Sequence, residues 1–347
     1  MEYCQFKDII VQPFSRLLGG KPTPFKGGPV FPDDAPAYVR HYRNKKIMDE
    51  VDTLIDAPDS LPVIAGSYVY AGPLIRHFGH FMAECCHRLW AFHRLRPEVD
   101  GIVYGVRPGQ SDPLRDYPGF IAEALAHFGI APEQVKLVNQ PTRFQNLIVP
   151  QQAAALWRSP AKEYLDFLAR LDPQALEADD IPEKIYVGRA HLIKNGCLCG
   201  EDYLEQLLGA EGYFILRPEN YPLVRQWQYY ANAKKLIFTE GSAIHGLELL
   251  PRLQAEVFVI NRRPQSILAE RVLGPRCAKL QVFDGIAVVG IVQDTRQEPA
   301  NALSRIENIE GLLDALRDHG FAGLSGFDPE EFLAREALYL NQIATRL

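Results

Sequence analysis

Apolar and polar positions fall into two periods that take turns along the chain. Short runs rich in Val, Ile, Leu and aromatic residues, such as LPVIAGSYVYAG at 61–72, GIVYGV at 101–106, VKLVNQP at 135–141 and the FQNLIVPQ after it, read as strands. Between them the apolar positions recur at helical spacing. A helix is expected from about Phe78 to Arg96, ended by Pro97; another lies over 118–130, closed by Gly129, and a third over 161–171. The same alternation restarts after 183 and is cleaner there. Strands KIYVGR (184–189), YFILRP (213–218), KKLIFTEG (234–241) and EVFVIN each lead into a helical stretch, the first over 201–212, the third over 242–250 and the last over 265–273. Strand and helix in strict alternation is the pattern of a parallel α/β sheet, and four such units in this space make a Rossmann-like half.

The breaks in the pattern suggest domain limits. Residues 1–62 are rich in Pro and Gly (KPTPFKGGPVFPDDAPAY), which removes backbone donors and costs entropy, so they are expected to form an irregular leader. The acidic stretch LDPQALEADDIPE at 171–183 reads as a linker. The expected layout is an α/β domain over 1–175, a second over 183–275, and a tail of a β-rich piece and two helices (303–319 and 328–346) over 276–347 that packs back across the domains. Ligands would bind between the two domains, at the carboxyl ends of the strands.

Composition narrows the function. A chain of 347 residues with 47% hydrophobic and 23% charged residues is globular, and a net charge of −6 argues against wholesale nucleic-acid binding. The longest uncharged apolar run, Ile286–Val292, is far short of a membrane span, and the opening MEYCQFKDIIVQPF, without a long apolar stretch, is not expected to act as a secretory signal. Six cysteines without C-x-x-C spacing read as reduced, mostly buried thiols, so a cytoplasmic location is expected.

Three places carry side chains suited to chemistry. In HFGHFMAECCHRLWAFHR (77–94), His77, His80, Glu84, His87 and Arg88 recur at spacings of three and four, which would put them on one helix face. Such stripes are mostly solvated surface. Here Lys is absent and the residues titrate or bond directionally, which suits a general base, Glu84 or His80, for a hydroxyl. The E-x-x-H pair Glu84 and His87 also suits a metal site, although the second copy that bundle sites use is missing. In FTEGSAIHGLELL (238–250), a strand runs through Gly241 and Ser242 into a helix whose free N–H groups would face an anion, with His245 in the first turn; a capped helix with a packed His is the plain alternative. Arg189 at the end of KIYVGR suits a diphosphate, and Glu219 after YFILRP suits ribose hydroxyls; either could equally be a surface polar residue. Tyr68, Tyr70, Trp157 and Trp227 could line an acceptor groove but are more often core residues.

Absences count as well. The P-loop, G-x-G-x-x-G and G-x-S-x-G patterns are missing, and no two Asp residues stand two apart to hold a metal–nucleotide. The order GHFMAECCHRLW (79–90), YVGRAHLIKNGCLCGEDYLEQLL (186–208), ILRPENYPLVRQW (215–227) and IFTEGSAIHGLELL (237–250) resembles the family 61 glycosyltransferases of bacterial surface-polysaccharide clusters. Gly188 stands where many members have Ser, and Arg225 where an acidic residue is common. The resemblance implies a GT-B fold with two Rossmann-like domains facing a cleft, acceptor-side first and nucleotide-sugar-binding second. It implies inverting transfer from a nucleotide-sugar to a glycan or glycolipid, without a metal or other cofactor, with peripheral membrane attachment compatible. On it, His80 and Glu84 would face the reaction centre, and Arg189, Glu219, Gly241, Ser242 and His245 would hold the donor. The other functions left open are a metal-dependent enzyme built on His80, Glu84 and His87, and a non-catalytic nucleotide- or glycan-binding module.

Overall fold

The computed structural model describes residues 1–15, 26–43, 46–47, 53–54, 60–110, 112–172, 174–291 and 302–344. Parts of the expected leader, the last residue of the β-rich piece and the end of the last helix lie outside these. The chain is α/β and divides into two compact units, Met1–Pro173 and Gln174–Leu347.

The first unit is built on strands β1 (Tyr3–Ser15), β2 (Lys26–Pro29), β5 (Val63–Pro73), β6 (Gly101–Gly105), β7 (Val135–Val138) and β8 (Thr142–Pro150), with a small hairpin of β3 (Tyr42–Arg43) and β4 (Lys46–Ile47) apart from them. They pair in the order β2-β1-β8-β5-β6-β7. The β8-β5-β6-β7 pairings are parallel and the β2-β1-β8 pairings antiparallel. The expected irregular leader is therefore in part a sheet strand: β1 is paired on both sides. Its prolines are concentrated later in the segment, and the first twelve residues offer Phe6, Ile9 and Val11 to the core. Asp8, with φ +52°, is skipped in the β1–β8 pairing, which keeps the same register on either side of it. Ile9, Val11, Phe14, Tyr70, Val103, Phe144 and Leu147 make one core.

The single helix expected over 78–96 is broken. One turn of α-helix, α1 (Phe78–His80), passes into a π-helical segment, Phe81–Cys85, and the α-helix resumes only as α2 (Leu89–Leu95). Phe81, Met82, Cys85, Leu89, Trp90 and Phe92 are all fully or almost fully buried, so both pieces are packed firmly. Helices α3 (Gly119–His127) and α4 (Lys162–Leu171) follow where expected, and Gly129 ends the first with φ +72°.

The second unit has the cleaner alternation: β9 (Lys184–Val187), α5 (Glu201–Ala210), β10 (Phe214–Ile215), α6 (Leu223–Asn232), β11 (Lys235–Thr239), β12 (Leu253–Ile260), α7 (Leu268–Val272) and β13 (Cys277–Phe283). The five strands are parallel in the order β10-β9-β11-β12-β13. Connections leave β9 toward β10 on one side and return to β11 on the other, so the strand order reverses between β9 and β11. At such a switch point the loops at the carboxyl ends diverge and open a crevice. The stretch expected as a helix after β11 is a 3-10 run, Ser242–Leu249. The residues expected as the start of a helix at 303 instead pair as β15 (Ala302–Ile306) with β14 (Ile286–Ile291), and α8 (Ile309–Asp318) begins only where Asn308 caps it by accepting from the Gly311 N–H. Helix α9 (Pro329–Ala344) closes the described chain. Leu312, Leu316, Phe321 and Phe332 from this tail join Tyr186, Leu204 and Phe258 in one core, so the tail completes the second unit.

Candidate functional site

The π-helical segment decides the geometry in the first unit. Widening the turn rotates the residues beyond it, and the side chains that a straight helix would align are split. His77, His80 and Glu84 stay together: the His77 and His80 rings meet edge to face at 5.2 Å, and His80 Nδ1 lies 2.6 Å from Glu84 Oε1. His87 turns inward instead, its Nδ1 3.3 Å from the Tyr164 hydroxyl on α4. Arg88 is buried and donates to the carbonyls of Val39 and Arg40, at 2.6 and 2.8 Å. The one-face stripe is thus corrected to a His80–Glu84 pair, with His87 and Arg88 used in packing. Among the described residues, no three His, Cys, Asp or Glu side chains are grouped to hold a metal ion.

Glu84 has a further partner that the sequence does not announce. Arg43, on the β3 hairpin, donates from Nε to Oε2 at 2.6 Å and from Nη2 to Oε1 at 2.8 Å, a two-bond clamp. Burial alone would raise the Glu84 carboxyl; the hydrogen bonds from His80 and Arg43 override it and hold it at about 2. Glu84 is therefore ionised at neutral pH and weakly basic. In the neutral imidazole this carboxylate keeps the proton on Nδ1 of His80 and leaves the lone pair on Nε2. The His80 side chain is 41% exposed while that of Glu84 is fully buried, so the imidazole is the member of the pair that a ligand can reach.

In the second unit the switch point gathers residues from the ends of β9, β11 and β12. Arg189 follows β9, is buried, and donates from Nε to the Gly196 carbonyl (3.3 Å) and from Nη2 to those of Asn195 and Gly196 (3.0 and 3.1 Å). Gly241 lies against it: a Cβ there would meet Arg189 Nη1 at 2.4 Å and Cδ at 2.9 Å. The φ of Gly241 is 178°, ordinary extended backbone, so this glycine is demanded by space and not by strain. Glu240 is fully buried, and its Oε2 accepts the backbone N–H groups of Arg262 and Arg263 at 3.1 and 3.0 Å. Burial would raise that carboxyl, but the Arg263 charge and hydrogen bonds hold it below the usual range. Arg262 is lowered to about 10 by burial and by the neighbouring charges of Arg189 and Arg263. Arg189, Arg262 and Arg263 thus gather around Glu240, with Glu201 also acting on Arg189, so cationic groups cluster at the carboxyl edge of the sheet, where an anion would be met by charge.

The other expected donor residues are placed less centrally. Glu219 sits after β10, and its Oε1 meets His191 Nε2 in an exposed hydrogen bond. Ser242 opens the 3-10 run and is half-buried, with Gly241 as the residue before the run. His245 is buried, its Nδ1 2.6 Å from Glu248 Oε1, so one ring nitrogen is already committed. Tyr68, Tyr70 and Trp227 are core residues, and Trp157 is half-buried with φ +67°. Arg43, Glu240, Arg262 and Arg263 were not singled out from the sequence. The last three sit at or just beyond the ends of clear strands, which is a usable signal; Arg43 lies in a Pro/Gly-rich stretch and offers none. The six cysteines are all free, four of them buried.

The family model described as Glycosyltransferase 61 matches residues 78–253. The match runs from α1 to the first residue of β12, and so takes in His80, Glu84, Arg189, Glu219, Gly241, Ser242 and His245. No curated protein matches the chain.

Proposed function

The chain belongs to the glycosyltransferase 61 family and is a glycosyltransferase, with a donor and an acceptor substrate, and from that premise we propose that His80 is the base that activates the acceptor hydroxyl. The observation that carries this is the reachable imidazole of His80 with Nδ1 fixed at 2.6 Å from the buried, ionised Glu84. Glu84 orients and polarises the ring and is itself steadied by Arg43. In the reaction His80 Nε2 takes the acceptor O–H proton, the oxygen attacks the anomeric carbon, and the bond to the donor's diphosphate breaks with its electron pair leaving on phosphate. Attack from the face opposite the leaving group inverts the anomeric centre.

The donor in this proposal is a nucleotide-sugar, and its diphosphate lies at the β9–β11 crevice. Arg189, Arg262 and Arg263 there offset the charge that builds on the leaving group. Ser242 and the amides of its 3-10 run, with Glu219 and His245 at the margins, complete the donor contacts. Protein charges take the part that a bound metal plays elsewhere, so the reaction runs without one, in an enzyme of the GT-B type. The acceptor is a glycan or glycolipid of surface-polysaccharide assembly. Among the described residues no helix is long and apolar enough to cross a membrane, and peripheral contact is the proposed way to a lipid-borne acceptor.

A thermal-shift screen against UDP, GDP, CMP and their sugars, with and without EDTA, tests the donor assignment. A ligand at a hundred times its dissociation constant adds about 2.7 kcal/mol, a visible rise in Tm. The expected result is a rise with one nucleotide class that EDTA leaves intact; a rise that EDTA abolishes overturns the metal-free part, and no rise with any nucleotide overturns the donor assignment. With the donor known, His80→Ala should keep the Tm rise and lose turnover by roughly a hundredfold or more. Turnover equal to wild type in His80→Ala assigns the base elsewhere.

A further inference from the structure

One buried carboxylate joins the two strand ends that flank the crevice, yet it contributes neither the base nor a charge facing the donor. Glu201 is the first residue of α5 and is fully buried. Its Oε1 accepts the backbone N–H of Arg189 at 2.7 Å and the hydroxyl of Tyr186 at 2.8 Å. The Tyr186 hydroxyl lies 2.9 Å from Thr239 Oγ1, at the last residue of β11. A single oxygen thus links the loop after β9, the β9 strand itself and, through one hydroxyl, the end of β11 just before Glu240 and Gly241. The other oxygen, Oε2, is buried with no hydrogen-bond partner among the described residues.

The neighbourhood is packed so that this link has no slack. Gly188 lies between Glu201 and Glu205: a Cβ on it would sit 2.3 Å from Glu205 Oε1, 2.6 Å from Tyr186 Cε1 and 2.9 Å from Glu201 Oε1. Arg217 pairs with Glu205 on the far side. Burying a carboxylate with one oxygen unpaired is expensive, and a structural role alone would be met as well by an apolar side chain. The acceptor on Oε1 is what an apolar side chain cannot supply.

We propose that Glu201 is a positioning residue for the crevice, fixing the Arg189 backbone against the end of β11 so that the Arg189 guanidinium meets the donor's diphosphate at a set distance from Gly241. The inference rests on the donor site proposed at the β9–β11 crevice. Arg189 spends Nε and Nη2 on the carbonyls of 195 and 196, so its main chain must be held for Nη1 to be aimed. Glu201 does not touch the donor.

The test is calorimetric titration of inorganic pyrophosphate, standing for the diphosphate, into wild type, Glu201→Gln, Glu201→Ala and Tyr186→Phe. Gln keeps the acceptor oxygen and the shape, so its affinity should stay within about threefold of wild type. Ala removes the acceptor for the Arg189 N–H and should weaken binding by roughly tenfold or more, the loss expected when a buried backbone donor is left without a partner. Tyr186→Phe removes only the hydroxyl that bridges Glu201 to Thr239 and should weaken binding severalfold in a folded protein, which keeps the test open should Glu201→Ala fail to fold. A purely structural role predicts that Gln and Ala both lower Tm while affinity per folded molecule is unchanged. If wild type binds pyrophosphate and Tyr186→Phe binds it equally well, the positioning role is overturned and the donor site stands. If wild type binds neither pyrophosphate nor any nucleoside diphosphate, the donor site itself is overturned, and this inference with it.

Discussion

At the scale of single residues, the chain assigns its polar groups by what each can reach. Glu84 is fixed from three directions and ionised, so it is a poor proton acceptor and a good anchor; His80 has one nitrogen anchored and a side chain 41% exposed, so it can exchange a proton. Sequence spacing identified both residues but could not rank them, because rank depends on Arg43, which comes from 41 positions away. Replacing Glu84 with Gln should therefore lower turnover by roughly tenfold to a hundredfold while donor binding persists; unchanged turnover would show that the imidazole needs no carboxylate. Gly241 makes a second prediction. Ala at this position puts a methyl 2.4 Å from Arg189 Nη1, so Gly241→Ala should displace that guanidinium and abolish the donor-induced Tm rise.

At the scale of elements, the π-helical segment and the β3 hairpin depend on one another. Arg88 comes after the π turn and holds the carbonyls of Val39 and Arg40, three residues ahead of the Arg43 clamp, and the Tyr42 N–H is held at 2.6 Å by the Gln152 side chain. This is how a hairpin of two-residue strands is kept in place. Arg88→Met roughly keeps the volume and removes the donors, leaving one buried and one half-buried carbonyl short of a partner; it should cost about 2 kcal/mol of stability, read as a lower Tm. It should also release Arg43 from Glu84, so turnover should fall more than stability alone explains. A variant that loses stability with specific activity intact would separate the hairpin from the site.

At the scale of the whole molecule, the two units carry opposite acid responses. In the first, Glu84 is held at about 2 against an ordinary value of 4.5, and burial lowers His127 to about 4 from 6.5 and His41 well below its usual range. The unfolded chain binds more protons than the folded one at each of these groups, so stability falls as pH falls, from 6.5 downward for the histidines and from 4.5 toward 2 for Glu84. In the second, burial raises Glu201, Glu205 and Glu336, while Glu240 is lowered, the one shifted carboxyl of this unit to be so among the described residues. For the raised carboxyls the folded state binds more protons, and acidification toward their unfolded value adds stability. Hydrogen exchange between about pH 6.5 and 4 should show amides of α1–α4 losing protection before those of α5 and β9–β12. The reverse order would contradict the sign of these shifts.

Local pattern determined much of this protein. The alternation of apolar strand runs with amphipathic helices specified an α/β chain, and β9, β11 and β12, the central strands of the second unit's sheet, follow runs visible in the sequence, because they bury both faces and read as continuous apolar residues; β13, half-buried at the sheet edge, falls in the stretch expected as a separate tail. The placement of Arg189 and Gly241 just past the ends of β9 and β11 was legible too, since both follow clear apolar strand runs. Tertiary structure alone decided the rest. It drew β1 out of a Pro/Gly-rich leader, because its pairing partner β8 is over a hundred positions away. It broke the 78–96 helix with a π segment, which no periodicity over so few residues can register. It brought Arg43 to Glu84 and Glu201 to Arg189, turning residues of the right type into groups with assigned protons. Such pairings are long-range contacts between side chains whose own surroundings in the chain are ordinary, and only packing can select them.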